Sequence, residues 1–362
     1  MNMKKILFTA CLLYAGSAAL FAQDIHFSQY TQTPSLVNPA LTGISNVVRA
    51  SVIYKDQWRS ITVPYKTYGA SFEMKFKGSN WEKAGAHMTK IYKKAFNRMA
   101  GGLSFYSDKA GDGNMGSTQV NLSLATFVPL NKFSSLSLGL QGSLVQRKID
   151  YARLIFPDQY SGTTYDPNMA QGESYSTNNF IYPDFAGGIA WSYGYNEKAI
   201  GANNEFRANV GVSMYHFNQP KQQFLSGTRE RLNAKYVVHG DFVIGIPNSN
   251  VALAPSYLVE IQTPSTEVVA GMMLKYYFSQ DSKYTGYLKK SSLGLGAYYR
   301  NRDALILSLL IEYQQYAVGI SYDLNTSKLR NASTGRGGPE VFLRFVTPNP
   351  FLYQKKARVS FI

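Results

Sequence analysis

The chain has 362 residues, 45% of them hydrophobic and 14% aromatic, with a net charge of +15 and a single cysteine. One cysteine, Cys11, excludes internal disulfides and cysteine-built zinc sites, and no second apolar run of about 18 residues exists to form a membrane-spanning helix. Twenty-seven tyrosines, 30 glycines and only 16% charged residues leave two classes: a soluble all-β protein or a β-barrel of an outer membrane.

Lys4 and Lys5 precede an apolar run from Ile6 to Ala22. This reads as a secretory signal peptide over residues 1–22, cut after Ala22, with Ala18 or Ala19 as alternative cut sites. Without it, 35 basic residues face 22 acidic ones, a net of +13, and no cysteine remains for thiolate catalysis. In an exported chain such charge points to anionic lipid head groups, cell-wall polymers or an acidic protein partner, and not to nucleic acid. Residues 23–46 follow, with "DIHFSQYTQTPSLVNPALTG" from Asp24 to Gly43. They show no clear period, and Pro34 and Pro39 suit neither a helix interior nor a central strand.

From residue 47 to 347 the chain alternates with period 2. In "SSLSLGLQGSLVQ", Leu136, Leu138, Leu140 and Leu144 share one face, and Ser137, Gly139, Gln141 and Ser143 share the other. Fourteen such segments are predicted: 47–56, 66–76, 98–107, 117–128, 133–147, 183–195, 206–217, 234–246, 250–261, 266–278, 291–300, 303–313, 315–323 and 340–347. The even count and lengths of about 9–13 residues suit strands crossing a bilayer. The fold expected is therefore an all-β, antiparallel outer-membrane barrel of about 14 strands, with residues 23–46 as a segment in its lumen. On the face opposite the large apolar residues sit Arg49, Glu73, Lys75, Arg207, His239, Asp241, Glu260, Lys275, Glu312 and Arg344. Inside a barrel these charges would pair across strands. Tyr54, Tyr106, Tyr276, Tyr299, Tyr313 and Tyr322 lie near segment ends, as interface girdles do.

If the first strand starts in the periplasm, "SDKAGDGNMGS", residues 148–182 and residues 218–233 become outside loops. Residues 77–98 become a periplasmic connection with a net charge of +5, including Lys90, Lys93, Lys94 and Arg98. The tail, residues 348–362, adds Lys355, Lys356 and Arg358 to that basic face. Gly111, Gly113 and Gly116 match GxGxxG, but a strand pattern follows where a nucleotide site needs a helix, so a hairpin turn is expected. Asp108, Asp112 and Asn114 lack the spacing of a calcium loop. Four scattered histidines give no zinc motif, and His239 beside Asp241 reads as a pair on the lumen wall. No catalytic residue, cofactor or metal is expected.

Several stretches together resemble the PorP/SprF family of the type IX secretion system of Bacteroidetes. They are "DIHFSQY…SLVNPALTG", "YKDQW" (Tyr54–Trp58), "FYSDKAGDG" (Phe105–Gly113) and "GISYDLNTSKLRNASTGRGGPEVFLRF" (Gly319–Phe345). The resemblance implies a non-enzymatic protein of the cell outer membrane that works with the secretion machinery. Some members support export or surface anchoring of a large adhesin in gliding bacteria, and others join the core near its periplasmic ring. It makes Phe27, Tyr30, Asn38 and Pro39 candidates for a lumen plug or partner contact. It makes Asp108, Gly111, Asp323, Asn325 and Arg336 candidates in outside loops. Two transport readings compete: a FadL-like channel, which should have an apolar lumen pocket, and a porin, which should have an open one.

Overall fold

Alternation along the chain becomes a closed ring. The computed structural model describes residues 26–44, 48–59, 63–76, 99–131, 133–166, 168–169, 172, 178–195, 205–222, 224, 230–279, 291–327 and 333–347. The strands are β1 (Val48–Gln57), β2 (Tyr65–Lys75), β3 (Met99–Ala110), β4 (Met115–Pro129), β5 (Ser134–Lys148), β6 (Asn179–Tyr195) and β7 (Phe206–Tyr215). The short β8 (Lys221–Gln222) and β9 (Glu230–Arg231) form a separate ribbon. Then come β10 (Lys235–Gly245), β11 (Val251–Gln262), β12 (Ser265–Ser279), β13 (Ser291–Arg300), β14 (Ala304–Tyr313), β15 (Tyr316–Asn325) and β16 (Arg336–Val346). All but β8 and β9 join one closed barrel of fourteen strands. Each pairs antiparallel with its neighbours in sequence, and β1 closes the ring on β16, from Arg49 opposite Val346 to Lys55 opposite Glu340. No helix among the described residues is long and apolar enough to cross a membrane.

The even strand number brings the start of β1 and the end of β16 to one rim, the terminal rim. The opposite rim, the loop rim, carries the described residues between β5 and β6 (149–166, 168–169, 172 and 178) and the β8–β9 ribbon. All fourteen expected segments are strands, with edges moved by a few residues. Larger shifts fall at the loop rim. The sequence "SDKAGDGNMGS" is mostly strand, with only Gly111–Asn114 between β3 and β4, and β6 begins at Asn179, inside the expected loop. Gly111 takes φ +69 in that turn, a conformation glycine adopts without steric cost.

The outward face carries the large apolar residues. Leu140 is 70% exposed and Leu122 59%, and Leu138, Ile189, Val212, Leu295 and Leu343 are exposed as well. So continuous an apolar exterior belongs in lipid. Aromatic rings gather near both rims. Tyr54 lies 5.0 Å from Tyr68 by ring centroids, and at the terminal rim Tyr316 lies 5.3 Å from Phe345. One expected girdle residue faces the other way: Tyr106 shares the inward face of β3 and donates its hydroxyl proton to Gln119.

The inward face differs from the expected mixture of serine, glycine and charge. Ile53, Val237, Leu258, Val269, Met273, Tyr298, Ile306, Leu310 and Phe342 form a buried apolar cluster in the lumen. Phe27, Tyr30 and Val37 from the N-terminal segment fill its centre. The leader, the 77–98 connection with Lys90, Lys93, Lys94 and Arg98, and the 348–362 tail lie outside the described residues.

Candidate functional site: a segment held inside the barrel

Residues 26–44 run through the lumen as three short turns, at Tyr30–Gln32, Pro34–Val37 and Pro39–Leu41. Prolines open the second and third, where a missing N–H costs nothing. A segment without strand partners must place its backbone polar groups on the wall. It does so at three places.

The first is at the loop rim. The amides of Ser28 and Gln29 donate to the two carboxylate oxygens of Glu340 at 2.7 and 2.8 Å. The Ser28 hydroxyl donates to Asp323 at 2.8 Å and accepts from Lys55 Nζ at 3.0 Å and Arg300 Nη2 at 2.9 Å. Lys55 also donates to the carbonyl of His26 and lies 3.6 Å from Glu340. Arg300 lies 3.1 Å from Asp323 and 3.4 Å from Glu267, which also meets His26 at 3.4 Å. Lys55 and Glu340 are wholly buried. Charges this deep persist only when paired and hydrogen-bonded, and here the backbone of Ser28 and Gln29 completes the set.

The second place is toward the terminal rim. Arg49 donates to the carbonyl of Gln32, and Arg344 donates to its side-chain oxygen. Arg344 also donates to Glu312 at 2.6 Å, and Glu312 accepts from Lys275 at 3.3 Å and Ser292 at 2.7 Å. Between the two places Tyr30 donates to Ser256 Oγ at 2.9 Å.

The third place explains "NPALTG". Asn38 Oδ1 accepts from the amide of Ala40 at 2.9 Å, so its Nδ2 points to the wall. There it reaches the carbonyls of Ile189 and Val212 at 3.1 and 3.2 Å, and His239 Nε2 at 3.0 Å. An amide nitrogen only donates, so His239 accepts at Nε2 and carries its proton on Nδ1. Glycines make the room. A Cβ on Gly188 would stand 2.0 Å from Asn38 Oδ1, and one on Gly139 would stand 2.2 Å from the nitrogen of Ala40. Thr42 then donates to Ser123 at 3.1 Å, and the amide of Gly43 donates to Glu73 at 2.8 Å. Gly43 has φ +68, and a Cβ there would meet that of Ala100 at 2.5 Å.

The expected site residues therefore divide. Phe27, Tyr30, Asn38 and Pro39 lie in the lumen segment, all buried. Arg49, Glu73 and Glu312 stand on the wall against that segment or its direct partners. Asp241 accepts from Asn209, so it is not paired with His239 as expected. Glu260 lies 3.9 Å from Lys235, and Arg207, half exposed at the terminal rim, pairs with Glu205 at 2.6 Å. Three expected loop residues are wall residues: Asp108 faces inward from β3 and accepts from Tyr65 at 2.7 Å, and Asp323 and Asn325 are buried on β15. The strand of Asp108 extends beyond the apolar band, where Ser107 and Lys109 make the outward face polar too and alternation no longer marks a strand. Around Asp323 and Asn325 the alternation continues, with Tyr322 and Leu324 outward. Arg336 is exposed at the start of β16, and Gly111 stands in its turn. Sequence reading missed Lys55, Arg300 and Glu340. Each has the same parity as the inward charges of its strand or its cross-strand partners, which was the available signal. Among the described residues no group of three His, Cys, Asp or Glu is placed to hold a metal.

The family profile of the type IX secretion system membrane protein PorP/SprF matches residues 19–345. The chain belongs to this family. As a PorP/SprF protein with a lipid-facing barrel, it is an outer-membrane component of the type IX secretion system, and membership implies interaction with that machinery. No curated protein sequence matches the chain significantly. Among solved structures it is similar to the toluene transporter TbuX of Ralstonia pickettii, at 9% identity, TM-score 0.44, and coverage of 88% of this chain and 94% of that one. It is also similar to a FadL homologue of Pseudomonas aeruginosa, at 11% identity, TM-score 0.43, and coverage of 90% and 94%. BamA of Haemophilus ducreyi compares at 11% identity, TM-score 0.39, and coverage of 83% and 70%. In this PorP/SprF barrel Asn38 meets β6, β7 and β10, Tyr30 meets β11, Phe27 lies beside Gly69 of β2, and Pro39 lies beside Gly139 of β5.

Proposed function

We propose that this PorP/SprF protein is a non-enzymatic accessory that supports export or surface anchoring of a large secreted adhesin, as an interaction protein and not as a conduit. The observation that carries this reading is the occupied lumen. Residues 26–44 are bonded to the wall from one rim to the other, and the apolar inner cluster already holds Phe27, Tyr30 and Val37. A FadL-like role would draw on that cluster. One cavity beside the segment, bordered by Tyr30, Leu36, Tyr106, Tyr215 and Glu260, holds about 40 Å³. A cavity that takes up benzene measures about 150 Å³. An open porin path would have to run past the same residues 26–44. Partner contact then falls to the rims, the segment and the lipid-facing wall.

The test is a strain carrying a deletion of Asp24–Val37, produced at normal level. Heat-modifiable migration on a detergent gel reports an assembled barrel, because strand pairing satisfies the wall backbone without the segment. Surface labelling of the adhesin should fall to background. Normal adhesin display by the assembled variant would sink the reading.

A further inference from the structure

The outward face of β2–β5 at the loop rim carries a row of lysines. Lys66 on β2 stands directly opposite Lys109 on β3. Lys109 stands opposite Gly116 on β4, and Gly116 opposite Lys148 on β5. Neighbouring strands lie about 5 Å apart, so three ammonium groups share a strip roughly 15 Å wide. Lys109 and Lys148 are exposed and Lys66 is half-buried. Among the described residues none of the three has an ion-pair partner. The nearest acid in the row is Asp56, opposite Lys66, and its carboxylate is engaged by Arg59 at 3.1 Å. Like charges placed directly opposite each other repel, and an anion between them removes the repulsion.

What lies below the row identifies the anion. The next outward row toward the membrane, about 7 Å away, reads Tyr68, Ser107, Thr118 and Gln146. Ser107 and Thr118 share a hydrogen bond of 3.0 Å, and Gln146 donates to Asn179 at 3.0 Å. Below that come Ala70, Phe105, Val120 and Leu144, and the wall is apolar from there. Charge, then hydroxyl and amide, then hydrocarbon is the order of a lipid with a phosphorylated sugar head. The opposite wall lacks it. At the same rim, the outward residues of β10–β15 are Tyr236, Ile261, Thr266, Tyr299, Leu305 and Leu324, all uncharged.

We infer that the β2–β5 face binds a phosphorylated glycolipid of the outer leaflet, its phosphates on Lys66, Lys109 and Lys148 and its sugar against Ser107, Thr118 and Gln146. The gap at Gly116 leaves the head group room between Lys109 and Lys148. The test uses the full protein in mixed micelles with diphosphorylated lipid A. Native mass spectrometry counts bound lipid in wild type and in a variant carrying Lys66→Gln, Lys109→Gln and Lys148→Gln. A control carries Lys221→Gln and Arg231→Gln on the β8–β9 ribbon. Binding should fall at least ten-fold in the triple variant, stay unchanged in the control, and weaken with salt in wild type. Heat-modifiable migration checks that each variant is folded, and the salt series on wild type keeps the inference exposed should the triple variant not assemble. Equal binding by the folded triple variant, equal binding of dephosphorylated lipid A, or competition by inorganic phosphate at the same concentration would overturn it.

Discussion

At the scale of single residues, Asn38 does three jobs with one amide: it caps its own turn, covers two wall carbonyls and fixes the tautomer of His239. Asn38→Ala should lower stability by about 2–3 kcal/mol, the sum expected for a lost cap and buried groups left without partners. Urea unfolding followed by tryptophan fluorescence measures it, and a change under about 0.5 kcal/mol would contradict the geometry. Gly139→Ala tests the same place from the wall side. Its methyl group would enter the space of Ala40, so the segment should lift away while the strands stay paired. Chymotrypsin, which cuts after Phe27, Tyr30 and Leu36, should then cleave the variant much faster than wild type. Unchanged protection would mean that the segment accommodates the methyl in place. The sequence marked Asn38 and Pro39 as belonging to an interior segment. It could not show which glycines face them, because a glycine on an alternating strand looks alike whether it faces a notch or open space.

Among the strands, the two faces are unequal in what they reveal. Lipid selects every second residue for size and apolarity, so the outward set was readable from Leu138, Leu140 and Leu144 alone. The inward set answers to the segment, which demands apolar partners at some heights and charged ones at others. In β14, "ALILSLLIEY", Ile306 and Leu310 face inward while Leu305, Leu307 and Ile311 face outward, and two apolar faces hide the period. Charge placement gives a graded prediction here. Glu312 accepts from Arg344, Lys275 and Ser292, whereas Glu260 has a distant lysine. Glu312→Leu should cost about 3–5 kcal/mol, the usual loss when a buried pair is broken from one side. Glu260→Leu should cost clearly less, and Leu138→Ile, which keeps its apolar area in lipid, should barely move the urea midpoint. Equal midpoints for Glu312→Leu and Leu138→Ile would refute the assignment of faces.

For the whole molecule, the lumen segment carries a prediction about conduction. Fourteen strands enclose space that side chains on the wall alone leave partly open. Wild-type protein in planar bilayers should therefore pass little current, and the Asp24–Val37 deletion should conduct in large, steady steps. Silent bilayers from both proteins would show that wall side chains close the lumen unaided.

The joint between β1 and β16 has a consequence for traffic. Its ladder runs only from Arg49 to Lys55 on the β1 side, the place where the first strand of the barrel meets the last. Ser28 holds Lys55 from one of these strands and Glu340 from the other, as a rivet through both plates. Parting the cylinder sideways at this joint means breaking that rivet as well as the ladder. A passenger leaving the lumen sideways through this joint would need the first residues of the segment drawn out beforehand.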